Sequence, residues 1–340
     1  MRVMVLTAED SHKVFRMTEE RIQAALERHP KVREIADFFV TRTSTSYENV
    51  PSWNEIDHEL FKREVADADV LVGYMFPLSS IGKYAPRLRW IHIIGAGVEH
   101  LCPLSWLPES VLLTNNRGAH APKTREYAMM AMLMLGNHMP RLATAQREAR
   151  WDGHFVTVVF GRTIVIVGAG KQGTAVAQAA KVLGIRAVGV DPMVAQNDSF
   201  ERIVPPSELL SVLPGADFVA LTLPAMDRTR RLFGVAEFSA MKDGSGFINI
   251  SRGSVLDTDA LLSALRSGKL SGALLDVFDV EPLPADSPLW RAPNLTITPH
   301  MGCDDEENYI HRTFDIVMEN LQRLRDGIEL ENMIDPVNGY

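Results

Sequence analysis

Cysteine is nearly absent. Cys102 and Cys303 are the only two in the chain, and no metal-ligand spacing surrounds either. A disulfide framework and a cysteine-built metal site are therefore excluded, and two unpaired thiols in a reducing cytoplasm are expected. Long apolar runs are also missing. No stretch approaches the roughly 20 residues of a membrane-spanning helix, and the opening MRVMVLTAED reads as a first β-strand, not a signal peptide. Blocks of positive charge are absent, and the formal net charge of −8 offers no footprint for nucleic acid or an anionic membrane. Low-complexity tracts, internal repeats and coiled-coil heptads are absent as well. What is present is a globular composition, 46% hydrophobic and 23% charged over 340 residues, enough for two domains with cores.

The most informative stretch is GRTIVIVGAGKQGTAVAQAAKVLGIRAVGVD, residues 161–191. Thr163 to Val167 has the β-branched composition of a strand buried on both faces. It breaks into Gly168, Gly170 and Gly173, followed by a helix whose apolar face carries Val176, Ala179, Ala180 and Leu183, with Gly184 just past its end. A second apolar run ends in Asp191, and seventeen residues lie between Gly173 and Asp191. This is the spacing of a dinucleotide-binding βαβ unit. The glycines permit a tight turn, close approach of backbone to a pyrophosphate, and close helix–strand packing; the helix N-terminus favours the phosphates. Asp191 suits the adenosine ribose and repels a 2′-phosphate, so NAD is expected over NADP.

Strands are expected at Arg2–Thr7, Phe38–Thr41, Asp69–Val72 and Trp90–Ile94, with helices at Glu19–Arg28 and Asp57–Ala66 and a loop over residues 43–56. The alternation predicts a first parallel α/β domain. Arg125–Arg150 is expected as one long helix, buried between domains or against a partner chain because AMMAMLMLG is apolar on every side. Beyond the fingerprint, strands at Phe218–Leu223, Gly246–Ile250, Gly272–Val277 and Leu295–Thr298 alternate with helices near Ser207–Leu213 and Thr258–Ser267. A last helix, Asn308–Arg325, is expected to pack back on the first domain.

Three of these strands end in polar residues, and ligands of open parallel sheets bind at strand carboxyl ends. Arg252 follows FINIS, Asp276 and Glu281 lie in LLDVFDVEPLP, and His300 closes LTITPH. These residues match the needs of hydride exchange on a 2-oxo acid. An arginine holds the carboxylate and polarises the carbonyl. A histidine moves the proton, and a carboxylate beside it raises its pKa and fixes its orientation.

The ordered motifs resemble the D-isomer-specific 2-hydroxyacid dehydrogenase family over nearly the whole chain. They are the fingerprint with Asp191, LTLPAMDRT, NISRGSVLD, LDVFDVEPLP, and SPLW followed by TPHMG; the nineteen-residue step from Glu281 to His300 also fits. The resemblance implies a substrate-binding Arg252, a general acid/base His300 and a partnering Glu281. It places cofactor contacts at Gly168, Gly170, Lys171, Gln172, Gly173, Asp191, Leu223, Pro224, Thr229, Ile250, Ser251, Arg252, Asp276, His300 and Gly302. Ala96, Gly97 and Val98 resemble the loop that binds the substrate carboxylate, with Arg252 and His300 completing substrate binding; no metal is implied. The implied architecture is two Rossmann-like or flavodoxin-like parallel-sheet domains. The NAD-binding domain, 119–300, is inserted into a substrate domain made of 1–118 and 301–340, and cleft closure is expected to bring the two sets of residues together. A homodimer forming through the helix after Thr124, a small-molecule 2-oxo or 2-hydroxy acid substrate and a cytoplasmic location are also implied.

Departures are few. Glu99 stands where Asp is common, and Ser251 replaces a common alanine. Glu281 argues against the formate dehydrogenase branch, where glutamine occurs. Forty residues follow His300, so the regulatory extension of many phosphoglycerate dehydrogenases is not expected. Two alternatives remain: an NADH-sensing protein like the corepressors that resemble this family, and an NADPH-preferring glyoxylate/hydroxypyruvate reductase. Tyr74, Met75 and Phe76, with a contribution from Trp290, are expected to wall the substrate side chain, leaning toward an apolar or medium-sized acid.

Overall fold

The structure is a computed structural model that describes residues 1–45 and 53–335. Two compact units are present, Met1–Ala119 with Asp305–Tyr340, and His120–Asp304. Part of the loop expected at 43–56, residues 46–52, lies outside the described residues.

In the first unit, β1 (Arg2–Ala8), β2 (Asp37–Thr43), β3 (Val70–Gly73), β4 (Trp90–Ile93) and β5 (Leu112–Asn115) form one sheet in the order β2-β1-β3-β4-β5. Every neighbouring pair is parallel. Strands β3 and β4 are buried along their whole length, as expected of a sheet covered on both faces. The connecting helices are α1 (Glu19–Arg28), α2 (Glu55–Val65) and α3 (Leu78–Tyr84). Asp305 accepts from the N–H groups of Glu307 and Asn308 and so starts the final helix, Tyr309–Asp326. That helix buries Ile310, Phe314, Val317 and Leu321 in the same core as Val3, Val5, Ile22 and Leu26. Each such side chain contributes roughly 1.5–3 kcal/mol.

The second unit carries α4 (Ala121–Gly136), α5 (Met139–Arg147), β6 (Thr163–Val167), α6 (Lys171–Val182), β7 (Arg186–Val190), β8 (Arg202–Val204), α7 (Leu209–Val212), β9 (Phe218–Leu221), α8 (Val235–Ala240), β10 (Ser245–Asn249), α9 (Thr258–Arg266), β11 (Leu270–Leu275) and β12 (Leu295–Ile297). Its parallel sheet runs β12-β11-β10-β9-β6-β7-β8. The strand order reverses between β6 and β9, so a crevice opens at their carboxyl ends.

The helix expected over Arg125–Arg150 is two helices. The chain breaks at His138, which adopts φ 52, and Pro140 in the first turn of α5 cannot donate to a continuing helix. Within the single chain, burial on every side is not met. Tyr127, Ala128, Ala131, Met132 and Leu135 are buried, whereas Met130 and Leu133 are 40% and 41% exposed. Only one face of α4 enters the core.

Candidate active site

The fingerprint turn is built by close backbone contacts. Gly168 has φ +103, and a Cβ there would lie 2.8 Å from the Thr222 carbonyl oxygen. A Cβ on Gly173 would lie 1.9 Å from the Gly168 carbonyl oxygen, so only glycine lets α6 seat against the turn. In front of Gly170 there is open space. Gly170 caps α6 without a side-chain hydrogen bond, leaving the first-turn N–H groups to serve an anion. These features fit a dinucleotide pyrophosphate.

Asp191 is tied into that turn. Its Oδ2 accepts from Ala169 N at 2.8 Å, and its Oδ1 accepts from Met193 N at 2.8 Å and Val194 N at 2.9 Å. Asn197 Nδ2 donates to Thr174 Oγ1 at 3.0 Å, fastening the segment beyond Asp191 to α6. Thr222, which sequence reasoning missed, donates its hydroxyl to Gly168 O at 2.7 Å. Its only signal was its place between an apolar strand and Leu223-Pro224.

The remaining expected cofactor contacts have structural duties of their own. The Thr229 hydroxyl donates to Pro224 O at 2.7 Å, closing the loop after β9, and Leu223 packs against the core. Gln172 Nε2 donates to Ile250 O at 3.0 Å. Ile250 and Ser251 are buried, so this turn offers a ligand backbone rather than side chains. Asp276 is also buried. It accepts from Thr298 Oγ1 at 2.6 Å, Met301 N at 3.1 Å and Gly302 N at 2.9 Å, and its own carbonyl receives His300 N at 2.8 Å. Burial pushes the Asp276 carboxyl up. Tyr127 supports the same turn, its hydroxyl 2.8 Å from Thr298 Oγ1 and its ring where a Gly302 Cβ would lie.

The structure brings Arg252, Glu281 and His300 together. His300 Nδ1 lies 2.6 Å from Glu281 Oε2, and Phe278 N donates to Glu281 Oε1 at 2.7 Å, so the carboxylate is held from both sides. Hydrogen bonding to Glu281 keeps the imidazole above its ordinary 6.5, against burial and the Arg252 charge. Burial alone would push Glu281 up, but His300, the Phe278 N–H and Arg252 outweigh it and hold the carboxyl low. Arg252 donates from Nη1 to Ser251 O at 2.8 Å, while Asn249 Nδ2 donates to Arg252 O at 3.2 Å. Gly253 explains why β10 and β11 end so close together, since a Cβ there would lie 1.8 Å from the Phe278 carbonyl carbon. Burial pushes the Cys303 thiol up to about 11.

The Ala96–Val98 loop belongs to the first unit, after β4. Of the expected specificity wall, Tyr74 and Met75 are half-buried and line a small cavity with Leu6, Thr7, Met17 and Ile94. Phe76 does not belong to it. It is 2% exposed and packs between Phe61 at 6.2 Å and Trp106 at 5.8 Å. Trp290 is half exposed in the second unit and donates to Pro284 O at 2.8 Å.

A family profile described as D-isomer specific 2-hydroxyacid dehydrogenase, NAD binding domain, matches residues 129–302. The chain belongs to this family. The relatives to which it is similar include a glyoxylate reductase of Korarchaeum cryptofilum, 30% identical over 80% of this chain and 84% of the relative. A D-3-phosphoglycerate dehydrogenase of Methanocaldococcus jannaschii is 31% identical over 81% of this chain but 53% of the relative. The chain thus spans about half the length of that phosphoglycerate dehydrogenase. Among solved structures, a D-isomer specific 2-hydroxyacid dehydrogenase from Xanthobacter autotrophicus Py2, in complex with NADPH and MES, superposes with a TM-score of 0.81. It is 25% identical, and 99% of each chain is covered. The second unit is the family's NAD-binding domain, and no helix among the described residues is long and apolar enough to cross a membrane.

Proposed function

We propose that this chain exchanges hydride between NAD(H) and C2 of a 2-oxo acid, yielding the D-2-hydroxy acid. The observation that carries this reading is the His300–Glu281 pair at 2.6 Å, with Arg252 close enough for its charge to act on both. A bound nicotinamide supplies the hydride. Arg252 pairs with the substrate carboxylate and polarises the C2 carbonyl. His300 protonates the C2 oxygen in reduction and takes the proton back in oxidation, and Glu281 stabilises the imidazolium. Gly168, Gly170, Gly173 and the backbone of Lys171 and Gln172 would hold the pyrophosphate, with Asp191 at the ribose and Asp276 at the carboxamide. Leu223, Pro224, Thr229, Ile250, Ser251 and Gly302 would line the rest of the cofactor site. The Ala96–Val98 loop would receive the substrate carboxylate. Small 2-oxo acids such as glyoxylate head the candidates, because the Korarchaeum glyoxylate reductase is matched over most of its length.

Cofactor preference is the sharpest test. Asp191 places a carboxylate at the end of β7, and the sequence from Asp191 to Glu201 has no lysine or arginine to receive a 2′-phosphate. NADH is expected to bind at least about tenfold more tightly than NADPH, the minimum cost of setting a phosphate against a carboxylate. The NADPH complex of the Xanthobacter relative favours the opposite reading. Fluorescence titration of both cofactors decides, and tighter NADPH binding would refute the role given to Asp191.

The exposed apolar surface of the second unit supports a homodimer, and the two unpaired cysteines suit a cytoplasmic enzyme. Trp151 and Phe155 are 99% and 96% exposed in the single chain, and Val158, Phe160, Met130 and Leu133 add to them. A surface of this kind marks an interface. Sedimentation velocity should give a two-chain species, shifted toward one chain by Trp151→Ser with Phe155→Ser; a monomeric wild type would exclude it.

A further inference from the structure

The loop after β4 is restrained in an unusual way. Three consecutive carbonyls, those of Ile94, Gly95 and Ala96, are each taken up by the last residue of β5 or the one that follows it. Asn116 Nδ2 donates to Ile94 O at 3.0 Å, Asn116 N donates to Gly95 O at 3.0 Å, and Asn115 Nδ2 donates to Ala96 O at 2.6 Å. The Tyr309 hydroxyl gives Ile94 O a second donor. The two asparagines are themselves fixed. Asn115 Oδ1 accepts from Arg117 N at 3.3 Å and Arg117 Nε at 3.2 Å, and Asn116 Nδ2 also reaches Thr313 Oγ1 at 2.8 Å. Both side chains are buried, at 1% and 0% exposure. The Tyr74 ring covers the loop's first glycine, where a Cβ on Gly95 would lie 2.5 Å from Tyr74 Cε2.

A peptide whose carbonyl is held on one side must direct its N–H to the other. The N–H groups directed in this way, those of Ala96 and Gly97, donate no hydrogen bond among the described residues, and neither does the N–H of Val98 beside them, so they remain available to an anion. We propose that Asn115 and Asn116 are positioning residues that hold this loop as a preformed receptor for the substrate carboxylate. The proposal rests on the 2-oxo acid reading above. A polar pair buried only for packing would satisfy its own atoms; this pair spends its amide donors on successive carbonyls of one loop. Preorganised N–H donors bind an anion without reorganisation at the moment of binding.

Asn115 is the better residue to test, because its amide holds the peptide nearest the free N–H groups. Asn115→Ala removes the donor without adding charge, and Asn115→Leu removes it while keeping volume. Both variants are expected to raise KM for the 2-oxo acid by about tenfold, the loss of one well-made polar contact, with kcat and KM for NADH within about twofold of wild type. Binding of oxamate, a non-reacting 2-oxo acid analogue, to the NADH complex should weaken by the same factor. A purely structural role would lower melting temperature and active fraction, and with them kcat, while KM and oxamate affinity stayed put; that result overturns the proposal. Wild type that neither turns over a 2-oxo acid nor binds oxamate would fail the functional reading itself, and the positioning role would fall with it.

Discussion

His300→Asn is expected to lower kcat for 2-oxo acid reduction by about 10²–10⁴-fold, the usual contribution of a positioned acid/base group, while leaving NADH affinity nearly unchanged. Asparagine keeps polarity and approximate size but delivers no proton at neutral pH. The pH dependence follows from the same pair. Reduction needs the imidazolium, whose pKa stands above 6.5 because Glu281 hydrogen-bonds it. The reduction rate should therefore be greatest well below the elevated pKa and fall as pH rises through it; oxidation should rise over the same window. Glu281→Gln removes the stabilising anion, so the falling limb of reduction should move toward lower pH. A limb that stays in place in the Gln variant would show that Glu281 does not set the His300 proton affinity. Stopped-flow rates across pH give both results.

Arg252→Ala is expected to reduce kcat/KM by about 10³-fold, comparable to losing a charge-stabilising donor together with a bidentate carboxylate clamp. Arg252→Lys should recover only part of this, because an ammonium supplies charge without the planar fork. The main-chain carbonyl of residue 252 can accept from Asn249 in either variant, so the turn is expected to persist, and NADH affinity reads out separately the cofactor contact that the family resemblance gives Arg252. A drop confined to NADH affinity, with normal kcat/KM at saturating cofactor, would move Arg252 from the substrate to the cofactor.

Much of this was legible in the sequence because periodicity and glycine placement are local signals. The runs Thr163–Val167 and Glu19–Arg28 coincide with β6 and α1, since each is bounded by its own turn or cap. Arg252, Glu281 and His300 were readable as strand-end polar residues. What escaped was set by contacts distant in sequence. The break at His138 falls just past the apolar run, at Gly136-Asn137-His138 before Pro140, where helical composition on both sides masks it. Phe76 follows a strand much as a wall residue would, yet it lies between Phe61 and Trp106. Gly253 carries no pattern of its own; only its contact with Phe278 shows why arginine is followed by glycine. Asn115 and Asn116 carry no sequence pattern that singles them out; their role shows only in their hydrogen bonds to Ile94, Gly95 and Ala96. Asp191 was expected to meet a ribose, and its hydrogen bond to Ala169 N adds that it braces the phosphate turn.

The central claim is hydride exchange with a 2-oxo acid under the control of His300. Its most direct test is NADH absorbance in the presence of a panel of 2-oxo acids, beginning with glyoxylate and hydroxypyruvate, for wild type and His300→Asn. The account predicts NADH consumption by wild type with at least one of them, and at least about hundredfold slower consumption by the variant. Folded, NADH-binding protein that consumes no NADH across the panel, or a variant as fast as wild type, would contradict it.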